Sequence, residues 1–194
     1  AGMRAEETIL ISGLAVLAVG TVFWLWSPAH AQLSGIAAGC VLTAIGLTAE
    51  TGGDYGGVVF GVSLSVMAFF GIFLTEAGVL RPLSSGRLLF CLCALLGAAV
   101  AGITGPGGTE VIGLIVGSAL IALSLSRGVF VYIGFGVAVL FIALLTLVLR
   151  HVDDPTEAGL ALTGMGLALL AGILVLARLR PWARARREPT VGAN

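Results

Sequence analysis

Lysine is missing from all 194 residues, and the ten basic side chains are arginines. That absence removes Schiff-base amines, lysine general bases and the phosphate-loop lysine. Charge of either sign is scarce as well. Charged residues make up 10% of the chain, against roughly 25% in an ordinary globular domain. With a mean hydropathy of +1.11, most outward side chains must meet lipid rather than water. Formal net charge is zero, and the few arginines group towards the end of the chain. There is no basic stripe for nucleic-acid phosphates, so a nucleic-acid partner is excluded.

What is present is apolar sequence in long runs. A membrane helix needs about 20 mostly apolar residues, and seven segments qualify, at 8–26, 32–48, 57–80, 86–104, 109–124, 129–149 and 158–177. The connections are short, so sequential neighbours must run antiparallel. The expectation is an all-α polytopic membrane protein, one transmembrane domain over 1–194 that ends in a short Arg-rich tail at 178–194. The tightest connection is 125–128. The stretch from Thr109 to Leu149 is 41 residues, about twice the hydrocarbon thickness at 1.5 Å per residue. A helical hairpin at Arg127-Gly128 is therefore expected, glycine tolerating the left-handed backbone that ends a helix. Ala29-His30-Ala31 has the form of a signal-peptidase site, but Glu6 and Glu7 beside Arg4 are foreign to a secretory leader. An uncleaved first span is expected.

Arginine sets the orientation. Seven spans put Arg4 and Arg150 on the side of the N-terminus, with Arg81, Arg87, Arg127, Arg178, Arg180, Arg184, Arg186 and Arg187 on the other. Arginine-rich short loops stay cytoplasmic, so the N-terminus is expected outside and the C-terminus inside, with Trp24, Trp26 and Trp182 at the inner interface. The neutral chain is thus polarised, eight carboxylates facing two arginines outside and eight arginines facing Glu76 and Glu188 inside. Richness in Ala, Gly, Leu and Val reads as a GC-rich bacterial genome, and hence a multi-pass protein of the bacterial plasma membrane. A retinal-binding bundle of this outline would need a lysine.

Glycine is abundant, at 29 residues, many within spans. In lipid it lets helix backbones approach, and Gly35-x-x-x-Gly39, Gly57-x-x-x-Gly61 and Gly113-x-x-x-Gly117 are each a close-packing face. The seventh span adds Gly159, Gly164, Gly166 and Gly172. These faces serve packing within the bundle or against other membrane subunits or a second copy.

Chemistry is thinly provided. His30 and His151 fall at opposite membrane faces, so they cannot share a haem, and no ligand cluster suggests a metal. Cys91 and Cys93 diverge by about 200° on a helix and, with Cys40, read as small apolar packing residues. Ser63, Ser65, Ser118 and Ser124 have no histidine at a matching depth to activate them. No catalytic, cofactor-binding or metal residue is expected.

The acidic residue well inside a span is Glu76. It lies four residues before the span's expected end at Leu80, about 6 Å along the axis. It is read as an interfacial ion pair with Arg81, Arg87 or Arg127, or as an ion or proton site. Glu50, Asp54, Glu110, Asp153, Asp154 and Glu157 form an expected outer acidic rim, although 153–157 lacks the spacing of a calcium loop. The leading expectation is a non-enzymatic membrane subunit or accessory protein that packs against other helices through its glycine faces. The alternative is a small channel or transporter for a cation, proton or small solute, using Glu76 and the rim.

Overall fold

In hydrocarbon every backbone N–H and C=O must find its partner within the segment, so long apolar runs become helices. The computed structural model describes residues 5–26, 30–51, 55–152 and 154–185. It holds α1 (Ala5–Trp26), α2 (His30–Thr51), α3 (Gly56–Glu76), α4 (Leu83–Thr104), α5 (Glu110–Arg127), α6 (Phe130–His151) and α7 (Pro155–Ala185). No strand occurs among the described residues. Among the described residues five helices, α2 to α6, are long and apolar enough to cross a membrane, and α1 carries a shorter apolar stretch, Ile9–Trp24. The chain divides into two compact units, Ala1–Arg150 and His151–Asn194.

Two turns show how the sequence stops a helix. At Gly128 the backbone is left-handed, with φ 70°, and its N–H reaches back to the Ser124 carbonyl at 2.7 Å. This is the tight hairpin expected between α5 and α6. The third span ends earlier than expected, at Glu76 instead of Leu80, because Gly78 takes φ 75°. The Gly78 N–H then bonds the Thr75 carbonyl and the Val79 N–H bonds the Leu74 carbonyl, both at 3.0 Å. That pair of bonds is a Schellman terminator, which satisfies the last carbonyls and turns the chain.

The start of α7 also differs from expectation. Asp153-Asp154-Pro155-x-Glu157 reads as a polar loop before a helix at 158, yet the helix begins at Pro155. Asp154 Oδ1 accepts the Thr156 N–H at 2.8 Å, so Asp154 is an N-cap. Pro155 follows at the first helical position, where its missing N–H costs nothing, and Glu157 sits favourably at the third. At its other end α7 continues through Arg178, Arg180 and Arg184, past the span end expected at Ala177. Residues 186–194 of the tail lie outside the described residues.

The first unit is built from three antiparallel hairpins, each sealed where a helix has no side chain. Between α1 and α2, a Cβ added at Gly13 would lie 2.5 Å from the Thr43 nitrogen, and one at Gly39 would lie 2.7 Å from the Leu17 nitrogen. Between α3 and α4, one at Gly97 would meet the Gly61 carbonyl oxygen and Ser65 Oγ, both at 2.8 Å. Between α5 and α6, one at Gly117 would lie 2.9 Å from the Gly136 oxygen. These distances leave no space for a methyl group, so backbone meets backbone. Further contacts of α2 with α3 and α4, and of α4 with α5, join the hairpins around Leu33, Leu64, Phe90, Leu120 and Tyr132, all buried.

Threonine side chains within these helices bond to their own backbone. Thr43, Thr75 and Thr146 each donate to the carbonyl four residues back, at 2.8 Å, which keeps isolated hydroxyls satisfied without a polar neighbour. Large apolar side chains point outwards. On α3 the exposed residues Val62, Val66, Phe70 and Phe73 recur once per turn, a ridge suited to hydrocarbon and foreign to a water-facing surface.

Gly97→Val is expected to destabilise the unit by about 1–3 kcal/mol through overpacking. Gly134→Ala, at an exposed helical position where an added Cβ meets nothing within 4 Å, should be neutral or stabilising by up to about 1 kcal/mol. Unfolding midpoints in mild detergent distinguish the two, and equal effects would contradict the packing described.

Candidate functional site

Two ionic clusters, one at each end of the first unit, pair Glu76 with Arg87 and Glu110 with Arg150. The first is assembled by the glycine turns. Gly78 reverses the chain, so that Glu76 in the last turn of α3 faces Arg87 in the second turn of α4. Arg87 Nε donates to Glu76 Oε1 at 2.7 Å, and Nη2 donates to Oε2 at 3.3 Å. This two-point fork is the geometry that guanidinium and carboxylate favour. The turn at Gly128 then delivers Tyr132, in the first turn of α6, whose hydroxyl donates to the same Oε1 at 2.5 Å. The Glu76 side chain is 8% exposed and that of Arg87 25%, while Tyr132 is fully buried. Of the three arginines expected as partners, Arg87 is the one within ion-pair distance; Arg81 and Arg127 form no salt bridge among the described residues.

Around this cluster the other helix ends are tied in. The Trp24 indole donates to the Arg81 carbonyl at 3.1 Å, fixing the end of α1 to the turn between α3 and α4. His30, at the start of α2, shares a hydrogen bond of 2.6 Å between Nδ1 and Ser85 Oγ on α4. His30 thus bridges α2 and α4.

The second cluster lies at the opposite end, where α4 ends, α5 begins and α6 ends. Glu110 is 0% exposed. Its Oε1 pairs with Arg150 Nη1 at 2.9 Å and its Oε2 accepts the Gly108 N–H at 2.8 Å. Arg150 Nη2 donates to the carbonyls of Ile103 and Gly105, at 2.9 and 2.7 Å. Burial and pairing take Glu110 out of the expected acidic rim, for its carboxylate meets protein donors instead of water.

Glu50 lies in the last turn of α2, Asp54 and Asp153 fall outside the described residues, and in the second unit Asp154 caps α7 and Glu157 lies in its first turn. Among the described residues no three histidine, cysteine or acidic side chains come together as a metal site would require. Cys40, Cys91 and Cys93 are all buried thiols.

The glycine pairs divide. Gly57 packs on Thr104, Gly61 on Gly97 and Ala101, Gly113 on Ala143, and Gly117 on Leu140 and Gly136, all within the chain. Gly39 packs on Leu17, but Gly35 meets nothing within 4 Å and borders an apolar groove between α1 and α2. Tyr132 is the residue sequence reasoning missed. Its partner lies 56 positions away, and nothing local distinguishes it from an interfacial aromatic. Arg150 was more accessible to inference, because the first residue of one hairpin helix and the last turn of the next must share an end.

No protein-family model, curated protein or solved structure is detectably similar to this chain.

Removing one partner of a buried pair leaves the other charge stranded. Arg150→Met is expected to cost about 3–5 kcal/mol because Glu110 is fully enclosed, and Tyr132→Phe about 1 kcal/mol for one hydrogen bond. Arg87→Met should fall between them, and the double variant Glu76→Gln/Arg87→Met should recover part of its loss. Reversible unfolding in mixed micelles measures all four. A double variant no more stable than Arg87→Met alone would exclude an ion pair as the bond between α3 and α4.

Proposed function

We propose that the chain is a multi-pass protein of the bacterial plasma membrane, with seven spans, the N-terminus outside and the C-terminus in the cytoplasm, acting as a non-enzymatic subunit that packs beside other membrane helices. The observation that carries this reading is the neutralised interior. Glu76 and Glu110, the carboxylates that a cation or proton route would use, are each held by an arginine of the same bundle. Threonine hydroxyls between them are turned back on their own helices. A route for solute needs hydrated polar groups near midplane, and a closed interior favours work done at the outer surface. The ridge Val62, Val66, Phe70 and Phe73 on α3 is the face offered to a partner. Support for the orientation comes from Arg81, Arg87 and Arg127 sharing one end of the first unit, with Arg150 at the other.

Extraction of the tagged full chain from its native membrane into polymer-bounded lipid discs, followed by native mass spectrometry, tests this. A stoichiometric second membrane protein or a defined oligomer is expected, and the double variant Phe70→Ala/Phe73→Ala should lower its recovery several-fold. A solitary chain that moves a solute when reconstituted alone would refute the reading. Tyr55→Cys is expected to react with a membrane-impermeant maleimide applied outside intact cells, and Ser84→Cys only after lysis. The reverse pattern would invert the orientation.

A further inference from the structure

At the end of the first unit that carries the Glu76 cluster, a cavity of about 780 Å³ opens beside the turn joining α3 to α4, lined by His30, Arg81, Leu83, Ser84 and Arg87. Among the described residues no carboxylate lines it. Glu76, the nearest acidic group along the chain, is occupied by Arg87 and Tyr132. The Arg81 side chain has no hydrogen-bond or ion-pair partner among the described residues, although its backbone is held by the Trp24 indole. Arg87 uses Nε and Nη2 on Glu76 and keeps Nη1. His30 is held in place through Nδ1, which leaves Nε2.

The backbone adds donors of the same kind. Pro82 precedes the 22-residue α4 without a side-chain cap, so the first N–H groups of the helix, those of Leu83, Ser84 and Ser85, lack intrahelical acceptors. Such a terminus carries a partial positive charge. Two guanidinium groups, an imidazole, a hydroxyl and these amides are a donor set in which the one neighbouring carboxylate, Glu76, is already paired with Arg87. A cation finds no ligand there, whereas a tetrahedral oxyanion finds hydrogen bonds from several directions. The volume exceeds what a bare oxyanion needs and falls in the range of about 300–1,000 Å³ that holds small organic ligands. Leu83 and neighbouring Val79 are exposed apolar side chains beside the charged lining.

We propose that this cavity is a phosphate-binding site, with Arg81 as the free cation that recruits the ligand and His30, Ser84 and Arg87 completing its shell. The phosphate is that of an anionic membrane lipid or a free phosphate, two sources with the same recognition chemistry. A basic pocket among helix ends at the cytoplasmic surface suits a lipid headgroup. That source rests on the membrane reading above; the phosphate chemistry does not.

The full chain in neutral detergent is titrated with phosphatidylglycerol, with phosphatidylcholine and with inorganic phosphate, reading the unfolding midpoint and, for the lipids, adducts by native mass spectrometry. A rise with phosphatidylglycerol but not phosphatidylcholine, with apparent affinity reduced roughly tenfold in Arg81→Gln, assigns the lipid phosphate. The same dependence on Arg81 with inorganic phosphate assigns the free ion. Arg127→Gln, at the same end but outside the cavity, should bind as the parent does, and Arg81→Lys should lie between. Arg81→Gln should fold normally, having lost no partner within the protein. Binding that Arg127→Gln weakens as much as Arg81→Gln, or no Arg81-dependent binding to either probe, overturns the site. A chain that stays monodisperse without detergent and still binds phosphate would sink the membrane reading and leave the site standing.

Discussion

In hydrocarbon an apolar side chain gains little by leaving lipid for a neighbouring helix, so helices hold together by dispersion at short range and by bonds between polar groups. Short range is what glycine supplies here. The seams at Gly13 and Gly39, at Gly61 and Gly97, and at Gly117 and Gly136 bring backbones into direct contact within each hairpin. The ionic clusters form at the ends of those seams, where the chain reverses and charged side chains can reach one another. Without the close approach of α3 and α4, Arg87 would not meet Glu76.

The two clusters perform similar work with different enclosure. Glu110 is wholly buried, pairs with an arginine and accepts a backbone N–H. Glu76 retains slight exposure and is satisfied by an arginine and a tyrosine. Both arrangements obey the rule that a buried charge must be paired and hydrogen-bonded. They also bind helices that are not neighbours in sequence, since Tyr132 joins α6 to α3 and Arg150 joins α6 to the end of α4. The hairpins are local structures; the charged residues make one unit of them.

Much of this architecture is legible in the sequence, and the unread parts have identifiable physical causes. The turn at Gly128 follows from the length of the apolar run alone. The turn at Gly78 is equally local, but apolar residues continue to Leu80 and hide the terminator from a reading based on hydrophobicity. Asp154-Pro155-Thr156-Glu157 holds a complete helix start that acidic composition made look like a loop. Glu76 could be matched with a short set of arginines because they share an end of the bundle. Tyr132 could not, because its role is set by the rotation of α6 about its axis, which the spacing of apolar residues on so uniformly apolar a helix leaves unspecified. Glu110 looks like a rim residue by its loop neighbours, and only the arginine forty positions on reverses that.

Helix α6 is fastened near both ends, by Tyr132 to Glu76 and by Arg150 to Glu110 and the last carbonyls of α4. The two fastenings are 18 residues apart, about 27 Å at helical rise. A slide of one turn would tear both, so α6 cannot move as a piston. That interval is close to the thickness of the hydrocarbon layer itself, roughly 30 Å. In a bilayer the polar ends of α6 therefore act as a fixed gauge: a thicker membrane must thin around the protein, because a helix of fixed length, anchored at both ends, cannot lengthen its reach.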